Sequence, residues 1–161
     1  MGAFEDHYRF YHEFHQERRN QIVHMLFVPL ILWSVLIFLR EWSLDLVLMV
    51  TYAVYYLIID MKFGILSLPY LSFLLVLERL FYNYVGQSIA IRVALFCQVV
   101  SWLAQFAAHE FFEGRRPALL SSLAQALGMA PLFVYIEILM LLGLFKDKMQ
   151  GIQEMQAETK R

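Results

Sequence analysis

Apolar residues fill the chain in successive runs, with short polar or charged breaks between them. Residues 21–39, 44–60, 63–82 and 89–108 each read as a membrane helix, and 118–127 and 131–145 as two shorter apolar pieces split by "GMAP". Several of these runs hold only about 15 uninterrupted apolar residues, fewer than the ~20 that cross a bilayer. Flanking Trp, Tyr, Arg and Lys lengthen them by sitting at the interfaces. The last pair is short enough to be re-entrant.

Ahead of the first run, "AFEDHYRFYHEFHQERR" is helix-compatible and rich in aromatic residues. Phe4, Tyr8, Tyr11 and then Phe14 or His15 recur at helical spacing, which suits a helix lying in the interface plane. The segment lacks the apolar centre and small-residue cleavage site of a signal peptide. Asn20 is a favoured N-cap type, so a break is expected there, with the first membrane helix starting at Gln21. The expected architecture is all-α: one polytopic membrane domain over 1–161, with an interfacial segment at 1–20, a helical bundle at 21–145 and a polar tail at 146–161. The bundle is expected to have four spanning helices plus a C-terminal short helix pair.

Composition agrees with this reading. Hydrophobic residues make up 60% of the chain and charged residues 17%, with a mean hydropathy of +0.56; soluble proteins hold roughly 45–50% apolar residues. A net charge of −1 gives no general pull toward nucleic acid. The lone cysteine, Cys97, cannot form an internal disulfide and sits in an apolar stretch.

Polar residues inside these runs are costly in a membrane and point to function. On the fourth run, Gln98, Ser101, Gln105, His109 and Glu113 follow one another at spacings of 3, 4, 4 and 4. At about 100° per residue they form one stripe, directed at the bundle interior. His109 and Glu113 are i and i+4, a spacing at which two ligands can share an ion. Tyr52, Tyr56 and Asp60 run along the second span toward the same end, and Glu137 stands alone in "PLFVYIEILMLLGLF".

Counting spans places His15 and His24 at one end of the bundle and returns the chain to that end at His109. The same side collects Arg9, Arg18, Arg19, Lys62, Arg115 and Arg116, against Arg40, Arg79 and Arg92 on the other. By the positive-inside rule the histidine side is cytoplasmic. A single interfacial histidine is ordinarily an amphipathic anchor, and His7 and His12 read that way. Three histidines with two carboxylates near one face read as a metal site. Imidazole with carboxylate suits Fe(II), Zn or Mn, and the absence of a thiolate cluster argues against iron–sulfur. Gln98 and Ser101 serve equally well as helix–helix contacts. A proton or ion path in a transporter or channel component, and a metal-dependent lipid hydrolase, are the rival readings. The stripe gathers at one end instead of continuing across, and no G-x-S-x-G elbow is present.

These residues also form a recognisable pattern. "FYHEFHQERRNQIVHMLFVP" resembles the N-terminal block of the yeast-type 2-hydroxy fatty acid dioxygenase family, through His15, Asn20, His24, Val28 and Pro29. "QFAAHEFFEGRRPALLSSLAQAL" with "APLFVYIE" resembles its C-terminal block, through Gln105, His109, Glu113, Arg116, Pro117, Ala118, Leu119, Pro131 and Glu137. Ala108 stands where the family usually has glycine. The resemblance implies a small integral membrane protein of the bacterial inner membrane or endoplasmic reticulum. It implies an Fe(II) and O2 chemistry that shortens a long-chain 2-hydroxy fatty acid by one carbon, as in phytosphingosine breakdown. On this basis His15, His24, His109 and Glu113 are the expected metal ligands. Arg115 and Arg116 are expected to hold the substrate carboxylate, with Asn20 beside them. Asn20, Gln105 and Glu137 are expected to orient imidazoles through their second nitrogen.

The span count is directly testable. With single cysteines replacing Arg19 and Arg116, impermeant thiol reagents should label both from the same side of sealed vesicles; labelling from opposite sides would break the topology.

Overall fold

The computed structural model describes residues 3–114, 123–145 and 151, and every regular element among them is helical. The order is α1 (Ala3–Phe14), α2 (Arg18–Arg40), α3 (Asp45–Ile59), α4 (Met61–Val85) and α5 (Gln87–Ala108), then a π-helical turn (His109–Glu113), then α6 (Leu123–Leu141). Three stretches are long and apolar enough to cross a membrane: α2, α4, and α5 with its π turn. α3 and the Leu127–Leu141 part of α6 are apolar but shorter.

α2 is the axis of the bundle and packs against α3, α4, α5 and α6. Leu36 and Ile37 near its C-terminal end are fully buried, together with Ala90 and Ala94 of α5. Small residues at that contact let the two backbones approach closely, which drives helix association where lipid removes the hydrophobic advantage. α3 and α4 form a tight hairpin. A side chain at Gly64 would meet the Leu57 backbone at 2.6 Å, so glycine is required there by the closeness of the two helices. Asp60 makes the hairpin's turn. Its carboxylate accepts from the backbone N–H groups of Lys62 and Phe63, at 2.9 and 3.0 Å, so it caps α4 and does not extend the histidine end.

The N-terminal helix ends earlier than the sequence suggests. α2 starts at Arg18 with Glu17 in the N-cap position, and Asn20 is a fully buried residue inside the helix. The expected cap at Asn20 is therefore wrong; its amide serves a different helix, as shown below. The aromatic stripe of α1 meets protein: Phe4 stacks on Phe63 of α4, and Phe4, Tyr8 and Tyr11 meet Phe133 of α6 edge-on or tilted.

"GMAP" does not split α6, as the chain runs helically straight through it. Pro131 has no N–H to give the carbonyl of Leu127 four residues earlier, and the Tyr52 hydroxyl of α3 donates to that carbonyl at 3.1 Å. The Tyr56 hydroxyl donates to the next one, Gly128, at 2.9 Å. External donors thus repair the break that proline makes, and a continuous helix results. Of the expected C-terminal pair, the part before Leu123 lies outside the described residues.

At the end of the bundle away from the histidines, charges pair off. Arg40 lies 3.5 Å from the fully buried Glu78, and Arg79 lies 3.1 Å from the buried Asp45. Glu41 accepts from the Tyr82 hydroxyl and the Gln87 amide, tying the α2, α4 and α5 ends together. On α5, the Gln98 amide donates to the Ile31 carbonyl and to Ser34 Oγ of α2, at 3.0 and 2.9 Å. Gln98 is helix–helix glue.

The tyrosine repair predicts a measurable coupling. Tyr52→Phe should destabilise the folded protein by about 1 kcal/mol. In a Pro131→Ala background, where the helix satisfies its own carbonyl, the same change should cost close to nothing. A double-mutant cycle of unfolding in detergent that found additive effects would remove this role for Tyr52.

Candidate metal centre

The three histidines predicted to share a membrane face share a single site. His15 lies in the break between α1 and α2, His24 in the second turn of α2, and His109 opens the π turn after α5. All three are at least 95% buried. Their ring centroids are 4.4 Å (His15–His24), 5.0 Å (His15–His109) and 4.9 Å (His24–His109) apart. One ring nitrogen from each lies within 4.8 Å of the other two.

Local backbone contacts aim two of the rings. His15 Nδ1 donates to the Tyr11 carbonyl at 2.8 Å, and His24 Nδ1 donates to the Asn20 carbonyl at 3.0 Å. Both acceptors lie four residues earlier. Pinning Nδ1 in this way fixes the tautomer and leaves Nε2 as the lone-pair nitrogen. His15 Nε2 and His109 Nδ1 are buried with no hydrogen-bond partner among the described residues. Buried nitrogens are normally paired. Convergent, unpaired imidazole nitrogens fit a metal ion of the borderline class that imidazole prefers.

Tyr11 supports His15 in two further ways. Its ring stacks on the His15 ring at 4.0 Å with a 12° interplanar angle, and its hydroxyl donates to Glu137 Oε2 at 3.2 Å. Burial, and then the Glu137 carboxylate, raise the Tyr11 hydroxyl well above its ordinary value, so it stays protonated as the donor. Glu137 therefore reaches His15 through Tyr11, without touching an imidazole itself. Sequence reading placed Tyr11 only in an aromatic stripe; its position four residues before His15 was the available signal.

Glu113 is placed differently from its expected partnership with His109. The turn from His109 to Glu113 is π-helical, closing i→i+5 contacts, and the group of converging ligand atoms is His15, His24 and His109 without Glu113. Glu113 Oε1 instead accepts from the Glu17 backbone N–H at 2.9 Å and from the Asn20 amide at 3.0 Å. α2 has no side-chain cap of its own, and this carboxylate supplies one from another helix, where the helix dipole favours negative charge. Asn20 is thus anchored to Glu113, and its carbonyl orients His24. Gly114 ends the turn in a left-handed conformation, with φ of 59°. Arg115 and Arg116 lie outside the described residues.

A cavity of about 250 Å³ extends from the histidines along α2. Gln105 lines it beside His109, with His7, Tyr11 and Tyr52, and the rest of the wall is mostly apolar: Val28, Ile31, Val35, Leu48, Trp102 and Phe106 among others. The site therefore joins a metal-competent polar end to an apolar sleeve.

A family model described as 2-hydroxy-palmitic acid dioxygenase Mpo1-like matches residues 1–142, a span that includes all three histidines. The chain belongs to the Mpo1-like family. The 2-hydroxy-palmitic acid dioxygenase MPO1 of Saccharomyces cerevisiae is 33% identical over 158 residues, covering 94% of this chain and 88% of the yeast protein. No solved structure matches this Mpo1-like chain significantly.

Metal content tests the centre. Protein purified with its native metal should lose most of it on His15→Ala, His24→Ala or His109→Ala, and should keep it on His7→Ala. Burial, and then the adjacent His24, hold His15 well below the ordinary imidazole value. The neutral ring is the ligand form. A proton competes for His15 only when the pH falls well under the free-imidazole value of about 6.5, so stability that depends on the neutral ring is complete above that value and is lost below it. Bound metal measured from about pH 7 to pH 4 should accordingly stay constant through 6.5 and fall only in the acid part of the range. Release centred on 6.5 would contradict the dry, convergent site.

Proposed function

We propose that this protein is an Fe(II)-dependent dioxygenase that shortens long-chain 2-hydroxy fatty acids by one carbon, with its site at the cytoplasmic face of the membrane. The observation that carries this reading is the convergence of three buried imidazoles at the head of an apolar cavity. Membership of the Mpo1-like family, and the name of the yeast relative, give the substrate class.

His15, His24 and His109 would hold the iron, leaving coordination positions for the carboxylate and 2-hydroxyl of the acid. Bound there, Fe(II) would supply the one-electron chemistry that O2 needs and that zinc lacks. The chain's own groups do the rest. The carbonyls of Tyr11 and Asn20 hold two rings in the ligating tautomer. Glu113 secures the first turn of α2, and with it His24. Arg115 and Arg116, directly after Gly114, are the expected partners of the substrate carboxylate. The apolar sleeve receives the acyl tail, where each buried CH2 contributes about 0.8 kcal/mol, and it keeps water away from the reacting end. The basic residues of the histidine side, Arg9, Arg18, Arg19 and Lys62, support a cytoplasmic location for that side by the positive-inside rule.

With Fe(II) and O2 the protein should convert a long-chain 2-hydroxy fatty acid to the acid one carbon shorter. The unsubstituted acid lacks the chelating hydroxyl and should be rejected strongly, on the order of 10⁴-fold where a site is built around a hydroxyl. Zn(II) in place of Fe(II) should abolish turnover. Mass spectrometry of the products under isotopically labelled O2 decides the matter: a shortened acid formed equally well without oxygen, or with zinc, would replace this reading with a lyase or metal-assisted hydrolysis.

A further inference from the structure

The polar stripe of α5 divides into residues with partners and residues without. Gln98 is fully engaged with α2 and with Trp102. Gln105 is 7% exposed, lines the cavity one helical turn before His109, and has a buried amide nitrogen with no partner among the described residues. A buried amide donor left unpaired is destabilising. Its position in the cavity lining lets a ligand supply the missing acceptor.

The chemistry of that ligand follows from the surroundings. Nε2 offers only donors, and a carboxylate offers only acceptors, with its charge strengthening the bond. Further along the cavity, Val28, Ile31, Val35 and Leu48 carry no polar side-chain atoms, and the Tyr52 hydroxyl is committed to the Leu127 carbonyl. His7 and Tyr11 of α1 also line the cavity, and its wall along α2 beyond His24 is apolar. We propose that Gln105 is a specificity-determining residue whose amide donates to the carboxylate of a long-chain 2-hydroxy acid, setting the acid's head beside the three histidines and its tail along α2 toward Val35 and Leu48. This rests on the substrate class proposed above and assigns the residue that reads its head and the direction of its tail.

Trp102 lines the same cavity and can report occupancy. Full-length, iron-loaded protein in detergent is kept anaerobic and titrated with a 2-hydroxy fatty acid brominated near its methyl end. Quenching that disappears in Trp102→Phe gives the Kd. Gln105→Leu should weaken binding by ~10–100-fold, the size of one hydrogen bond to a charged group. It should also discriminate less than the parent between the free acid and its methyl ester, keep its iron, and melt no lower than the parent, because the leucine removes an unpaired donor. Gln105→Met, an unbranched apolar replacement, should behave alike if leucine does not fit. An unchanged Kd, or a preference for the acid over the ester as large as the parent's, overturns the proposal. Loss of iron together with binding overturns it as well, by making Gln105 a support for an imidazole. Since no turnover is involved, binding through Gln105 without chain shortening would defeat the dioxygenase reading alone. Chain shortening with an unchanged Kd in both variants would defeat this inference alone.

Discussion

Gathering three imidazoles in a dry space requires that each ring be held with one nitrogen pointing inward, because a buried ring free to turn would pair that nitrogen elsewhere. Two of the rings meet this requirement through the same local device, an Nδ1–H bonded to the carbonyl four residues earlier in the chain. The third, His109, has no partner for its Nδ1 among the described residues, and a widened helical turn sets its position. The rest of the structure bears on keeping those carbonyls and that turn in place. Such a centre is stable only when the unpaired nitrogens gain a partner, and this links folding of the site to occupancy by a metal.

One carboxylate joins the two segments that must meet. Glu113 ends the helix that carries His109, and it caps the helix that carries His24. Its charge sits at a positive helix end, where it favours the docked arrangement. The π turn that begins at His109 ends at this carboxylate, so one short segment carries both a candidate ligand and the link between helices. Glu137 plays a comparable role on the other flank, holding the Tyr11 hydroxyl and thereby the ring that stacks on His15.

Away from the centre the same rule of satisfied polar groups recurs with other partners. Tyr52 and Tyr56 donate to carbonyls around Pro131, so that α6 crosses "GMAP" without breaking. Arg79 donates to Asp45 at the opposite end, and Arg40 offsets the charge of Glu78 from 3.5 Å without hydrogen-bonding it. Each removes a cost that would be severe in an apolar setting. Together they leave the histidine end as the place where buried ring nitrogens remain unpaired in a cluster, at the head of a cavity suited to an acyl chain.

Much of this was written in the sequence. The apolar runs gave the helices, because burying or embedding apolar side chains is the dominant drive and its period is visible in one dimension. The even number of runs between His24 and His109 brought those residues to one end, and the fixed offsets around His15, Asn20, His24 and His109 carried the family. What the sequence did not determine was which polar group answers which. Asn20 looked like a cap and is held inside a helix by a carboxylate 93 residues away. "GMAP" looked like a break and is mended by tyrosines 72 and 75 residues away. Glu113 looked like a ligand beside His109, and its carboxylate accepts from the first turn of α2. Hydrophobic pattern is local and repeats, so it can be read along the chain. The partner of a buried hydrogen-bonding group is chosen by whichever atom the packed helices bring within about 3 Å, and only the tertiary structure decides that.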